Sequence, residues 1–191
     1  MKTTVHVTEL IIQAQQNDTH AFRKLFEIYK LPVYNFILRM NGRQQDAEDI
    51  LQEVFVKMFQ KLPTLREARL FSSWLFRIAK NETFNHLRKN RPGMRDSLDD
   101  RDFTEKWRMP EKETHTNPDR KTEQQELEQK MQAALNELPE IVRAAFIMGV
   151  MEGYSYKEVA KSLGCSVNNV KTRVFRARTL LSKKLRPYFQ A

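Results

Sequence analysis

The chain has 191 residues, a formal charge of +9, one cysteine and five glycines. That size allows one or two small domains, the charge favours a polyanionic partner, and a lone cysteine excludes an internal disulfide and suits a reducing compartment. No signal peptide and no membrane-length apolar run are present, so a cytoplasmic protein without membrane insertion is expected.

The charge is uneven along the chain. Residues 1–95 carry +7, residues 96–120 carry −3 and residues 121–191 carry +5. Two basic blocks around an acidic segment suggest two separate contacts with a polyanion. Apolar residues recur at helical spacing, with little alternation of period two, so the fold is expected to be all-α.

Taken in order, Thr8 is a candidate cap for a short helix to about Gln16, with Leu10, Ile11 and Ala14 on its apolar side. Asn17-Asp18-Thr19 breaks the pattern with capping chemistry. A second helix carries Ala21, Phe22, Leu25, Phe26 and Tyr29. Pro32 should kink or interrupt it before Val33, Phe36, Ile37 and Met40 resume the pattern, which stops at Asn41-Gly42.

The stretch from Asp46 to Leu62 reads as a third helix with Asp46 as N-cap. Ala47, Ile50, Leu51, Val54, Phe55, Met58, Phe59 and Leu62 form its apolar stripe. Its other side carries Asp49, Gln52, Glu53, Val56 and Gln60, acidic and amide-rich in an otherwise basic region. Such a surface repels DNA and suits a basic protein partner, though most faces of this kind are simply solvated.

Pro63 to Leu70 reads as a loop exposing Arg66 and Arg69. A long helix from about Ser72 to Asn90 follows, with Arg77, Lys80, Asn81, Asn85, Arg88 and Lys89 on its polar flank. Phe71, Trp74, Phe76 and Phe84 lie nearby. Phosphate contacts with ring surfaces for stacking are what partly opened nucleic acid requires, but the rings also fit a core. Residues 92–120 hold Pro92, Gly93, Pro110 and Pro118 with little periodicity and read as a flexible linker; Trp107 and Met109 are unusual there.

A second domain begins near Lys121. Leu127, Met131, Ala134, Leu135 and Leu138 define a helix stopped by Pro139, and Ile141 to Met148 define another, ending near Gly153. Ser155 and Glu158 form a capping box, Gly164 provides a left-handed helix end, and Ser166 caps the next helix. This is a helix-turn-helix pattern. In its second helix Val167, Val170, Val174, Ala177 and Leu181 share a buried side. Asn168, Asn169, Thr172, Phe175 and Arg176 lie opposite, and Lys171, Arg173 and Arg178 flank the stripe. No acidic residue follows Glu158. One-sign charge with amides and hydroxyls suits phosphates and base edges.

Nothing in the sequence suggests catalysis. His6, His20, His86 and His115 lack ligand spacing, and there is no glycine-rich phosphate loop. No catalytic residue, metal or cofactor is expected. A dimeric regulator reading an inverted repeat is the rival to a monomeric DNA-binding factor.

DAEDILQEVF followed by SSWLFRIAKNETFNHLRK, and then LNELPEIVRAAFIMGVMEGYSYKEVAKSLGCSVNNVKTRVFRAR, closely resemble a bacterial σ factor of the extracytoplasmic-function group of the σ-70 family, over residues 8–186. The resemblance implies two small helical domains. A σ2-like bundle (1–91) would dock on core RNA polymerase and open the −10 element. A linker (92–120) would join it to a σ4-like domain (121–191) that reads the −35 element. It implies that Asp49, Gln52, Glu53 and Val56 meet the β′ clamp helices. Arg66, Arg69, Asn81, Asn85, Arg88 and Lys89 would meet −10 DNA. Asn168, Asn169, Lys171, Thr172, Arg173, Phe175 and Arg176 would meet −35 DNA. The β flap, promoter DNA and an anti-σ factor are the further partners implied, with the free protein a monomer. Asn168-Asn169 stands where the family often has small residues.

Overall fold

The computed structural model describes residues 2–90 and 123–186; the expected linker, with Trp107 and Met109, lies outside them. All regular structure among the described residues is helical, as the periodicity requires. Four helices make the first group: α1 (Lys2–Gln15), α2 (Thr19–Asn41), α3 (Gln44–Lys61) and α4 (Phe71–Asn90). Four more make the second: α5 (Glu123–Asn136), α6 (Glu140–Phe146), α7 (Tyr156–Leu163) and α8 (Val167–Leu185).

Several boundaries differ from expectation. Thr8 caps nothing: α1 already runs from Lys2, because Val7 extends the apolar side that packs on the core. Asp18 does cap α2, its carboxylate accepting from the backbone N–H groups of His20 and Ala21, which holds its pKa below the usual range. Pro32 neither ends nor divides α2. Proline removes one backbone bond, at a cost of about 3 kcal/mol, but Leu25, Val33, Phe36 and Ile37 on either side of it are completely buried. Burial of such side chains contributes about 1.5–3 kcal/mol each, so packing outweighs the lost bond. Asp46 is not an N-cap either. The helix starts at Gln44, and Asp46 sits in its first turn facing the His86 ring at 3.5 Å. Beyond α6 the chain takes one wider π-type turn, Ile147–Met151, in which Glu152 N–H reaches Ile147 O at 2.9 Å.

The two groups pack against each other. One apolar cluster runs from Leu10 in α1 to Val174 in α8 without a break, and a smaller one lies beneath α5, α6 and the end of α8. Helix α4 lies on α7, while α2 meets α5 and α6. Phe76 of α4 is fully buried, edge-on to Tyr154 with centroids 4.6 Å apart. Burial pushes the Tyr154 phenol above its ordinary pKa. At the α2 side Gln132 Nε2 donates to Arg39 O and to Asn136 Oδ1, both at 3.0 Å, and Arg143 Nη1 donates to Asn136 Oδ1 at 3.0 Å. Arg39 also approaches Glu152 at 3.9 Å, and burial raises that carboxyl's pKa against the opposing pull of Arg39.

The end of α7 is held by one backbone conformation. Gly164 has φ +68°, and no atom lies within 4 Å of where a Cβ would stand. Gly164→Ala therefore carries the left-handed penalty alone, and should lower unfolding free energy by about 1–2 kcal/mol in urea titration. Gly164→Asn should lose less.

Candidate nucleic-acid interfaces

The second half builds its surface from two caps. Ser155 N–H donates to Glu158 Oε2 at 2.9 Å, and Ser155 Oγ accepts from Glu158 N–H at 3.3 Å, closing the capping box that starts α7. Ser166 Oγ accepts from Asn169 N–H at 3.1 Å and starts α8. Between them, Gly164 and Cys165 both return their N–H groups to Ala160 O. Val170, Val174, Ala177 and Leu181 are buried as periodicity requires; Val167, at the exposed first turn, is 38% accessible and is not part of the stripe.

Asn168, Asn169, Lys171, Thr172 and Phe175 project outward, with Arg176 half-buried beside them. Phe175 is 71% exposed, an isolated aromatic among polar groups. Arg173 is a correction to the predicted set. It is only 7% exposed, because it lies three residues from Val170 and four from Ala177 and so falls on the edge of the apolar stripe. The basic face of α8 is narrower than the sequence suggested.

In the first half, α4 turns Phe71, Phe76 and Phe84 into the core, and Trp74 tilts against Phe71 with centroids 5.8 Å apart. The rings are consequently packing elements rather than stacking platforms. Asn81, Asn85, Arg88 and Lys89 remain exposed on one flank. The segment before α4 is two short 3-10 turns, Leu62–Thr64 and Ala68–Leu70, with Leu65 extended after the first. Arg66 and Arg69 are exposed there, and Arg69 pairs with Glu67 at 2.7 Å. Gln15 fixes this segment from α1, donating to Leu62 O at 3.1 Å and Leu65 O at 2.7 Å. A single amide at a helix end leaves no periodic signature in the sequence.

Helix α3 presents Asp49, Gln52, Glu53 and Val56 to solvent on one side. Val56 is 56% exposed and Phe59 53%, so Phe59 leaves the expected buried stripe; it lies edge-on to Phe22 at 5.0 Å. Behind this surface Lys57 pairs with Glu82 of α4, tying the two helices together. Among the described residues no cluster of histidine, cysteine or carboxylate could hold a metal, and no helix is long and apolar enough to cross a membrane.

Residues 25–92 match the Sigma-70 region 2 family and residues 128–181 match Sigma-70 region 4. The chain is 33% identical to the RNA polymerase sigma-H factor of Pseudomonas aeruginosa, over 98% of this chain and 97% of that one. It belongs to the extracytoplasmic-function group of σ-70 factors. The σ factor is also 32% identical to the ECF RNA polymerase sigma factor SigW of Bacillus subtilis, over 94% of this chain and 97% of that protein. Among solved structures it resembles CnrH in complex with the cytosolic domain of CnrY, with TM-score 0.72, 24% identity and coverage of 95% and 97% of the two chains. It also resembles RpoE of Bartonella quintana in complex with the anti-sigma factor NepR, with TM-score 0.64, 25% identity and coverage of 86% and 96%. The protein is a transcription initiation factor.

The burial of Arg173 separates it experimentally from its neighbours. Arg173→Ala should cost the σ factor about 1–3 kcal/mol of stability, through lost packing and stranded polar partners. Phe175→Ala, at a solvent-exposed position, should stay within about 0.5 kcal/mol of wild type. Thermal denaturation of the two variants checks both.

Proposed function

We propose that the three exposed faces divide the work of promoter-directed initiation. Asp49, Gln52, Glu53 and Val56 on α3 dock on core RNA polymerase through its β′ clamp helices. Arg66, Arg69, Asn81, Asn85, Arg88 and Lys89 engage the −10 element as it opens. Asn168, Asn169, Lys171, Thr172, Phe175 and Arg176 read the −35 element; Arg173 is not among them. In domain terms, residues 1–91 hold and melt, residues 121–191 read duplex, and residues 92–120 connect the two.

The observation that carries this reading is the separation of charge by helix. The outer side of α3 is acidic and amide-rich, whereas the exposed flanks of α4 and α8 carry cations and amides. A single DNA-binding surface would have no use for Asp49 and Glu53, which repel phosphate. A basic protein partner does. The −35 helix would read base edges in closed duplex. The −10 segment would gain by holding a base outside the stack, offsetting the few kcal/mol that unstacking costs. Strand opening then requires no catalytic group in the chain. The match to RpoE, whose solved structure contains the anti-sigma factor NepR, supports control by an anti-σ partner, and a factor that acts at polymerase works in the cytoplasm.

Run-off transcription with purified core polymerase and genomic fragments tests the whole reading: specific transcripts should depend on added protein. Glu53→Arg should weaken core binding at least tenfold in a pull-down titration, and unchanged affinity would remove the docking surface from the account. Asn81→Ala should slow transcription from duplex promoters more than from a pre-opened bubble. Equal slowing on both templates speaks against a melting role. Self-association into a dimer that binds an inverted repeat without polymerase would favour an ordinary regulator instead.

A further inference from the structure

The segment between α3 and α4 is strung between two buried side chains, Leu62 and Phe71. Residues 63–70 lie between these anchors and expose Arg66 and Arg69. Local backbone bonds shape each of its turns: Leu65 N–H reaches Leu62 O at 3.1 Å, and Leu70 N–H reaches Glu67 O at 2.9 Å. Neither bond ties the segment to the rest of the fold. Leu65 and Ala68 pack against the core, but apolar contact is non-directional. Direction comes from Gln15. Its Nε2 donates to Leu62 O at 3.1 Å and to Leu65 O at 2.7 Å, which uses both hydrogens of one amide.

The two carbonyls belong to the Leu62–Pro63 and Leu65–Arg66 peptides. A peptide unit is planar, so holding the second carbonyl also sets the direction in which the chain leaves towards Arg66. Gln15 is itself firmly placed. Ile11 and Ala14 beside it are buried. The end of α1 is closed by Asn17 in the left-handed conformation, φ 66°, and by Asp18 N–H on Gln13 O at 3.2 Å. Helix α1 lies outside residues 25–92, the segment that matches region 2.

We infer that Gln15 is a positioning residue for promoter opening: its amide holds the Leu65–Arg66 peptide so that Arg66 and Arg69 meet the −10 element in one backbone geometry. This rests on the assignment of those two arginines to that element. Gln15 itself touches no DNA. A segment ordered before the strand arrives has less conformational freedom to lose on binding. Both partners of Gln15 are acceptors, so position 15 requires a donor of this reach. Glutamate has the same shape, but in its ionised form it only accepts and sets a carboxylate against two carbonyl oxygens. Methionine has similar bulk and no donor.

The test uses holoenzyme assembled from core polymerase and the full-length protein, on the genomic fragment that gives the strongest run-off transcript. Permanganate reactivity of unpaired thymines follows strand opening. Gln15→Met should slow opening about fivefold and Gln15→Glu at least as much, the loss expected from removing a directional hydrogen-bonded contact. Capture of core polymerase should stay within about twofold of wild type for both. Arg66→Ala with Arg69→Ala should also slow opening. Adding Gln15→Met to that pair should slow it by less than about twofold more, because the amide acts only through the arginines. In the free full-length protein, Gln15→Met should speed hydrogen exchange at the Leu65 amide at least about fivefold and leave the amides of α3 and α4 unchanged.

Wild-type opening in both Gln15 variants, unchanged exchange at Leu65, or a full further fivefold loss in the combined variant would each overturn the proposal; the last marks a general effect on stability. If one Gln15 variant loses core capture, the other decides; loss by both makes Gln15 a folding residue and overturns the proposal too. Wild-type opening by the arginine variant removes the −10 assignment of this segment and the proposal with it. Wild-type opening by the Gln15 variants alone leaves that assignment standing.

Discussion

Helix α4 is the constraint to which the other elements are fitted. Its buried side chains, among them Phe71, Leu75, Phe76, Ala79, Phe84 and Leu87, are claimed from several directions. Helices α2 and α3 pack on it from within the first half, and α7 packs on it from the second. Aromatic edge contacts recur along this line: Tyr29 on Phe71 at 5.1 Å, Phe36 on Phe76 at 5.7 Å and Phe76 on Tyr154 at 4.6 Å. Such pairs contribute about 0.5–1.5 kcal/mol each beyond their burial, and their preferred geometry fixes the rotation of α4 about its axis. That rotation decides which residues remain outside, and so where Asn81, Asn85, Arg88 and Lys89 stand.

The same economy explains the charge pattern. Part of the negative charge of this basic chain is taken up within the molecule. Asp49 and Glu53 lie on the open side of α3, while Glu82 is spent on Lys57 and Glu158 on the cap of α7. Carboxylates committed in this way present little free negative field to a phosphate. Those left exposed on α3 stand beside Val56 and Phe59, 56% and 53% accessible, so that side combines apolar and acidic groups.

Closure between the halves follows from a shortage of core. Each half is small, and small domains bury a lower fraction of their surface than large ones. Packing α7 on α4 and α5 and α6 on α2 gives both halves a common interior. Phe76 and Val159, which are completely buried, obtain that burial partly across the boundary.

Local rules carried a great deal. The capping box at Ser155 and Glu158, the left-handed end at Gly164, the cap at Ser166 and the stripe from Val170 to Leu181 were legible because each depends on residues within a turn or two. Where the sequence misled, a distant contact was responsible. Pro32 is carried through α2 by packing on both sides of it, and Phe59 is left outside because Phe22 takes only its edge. The hold of Gln15 on Leu62 and Leu65, and of Arg77 on Lys161 across 84 positions, had no periodic trace at all. Sequence by itself determined the succession of helices, the caps at Asp18, Ser155 and Ser166, and the family. Only the tertiary structure decided which polar groups face solvent and that the two halves close on one another, since periodicity encodes the direction of a side chain relative to its own helix and not the identity of what lies opposite.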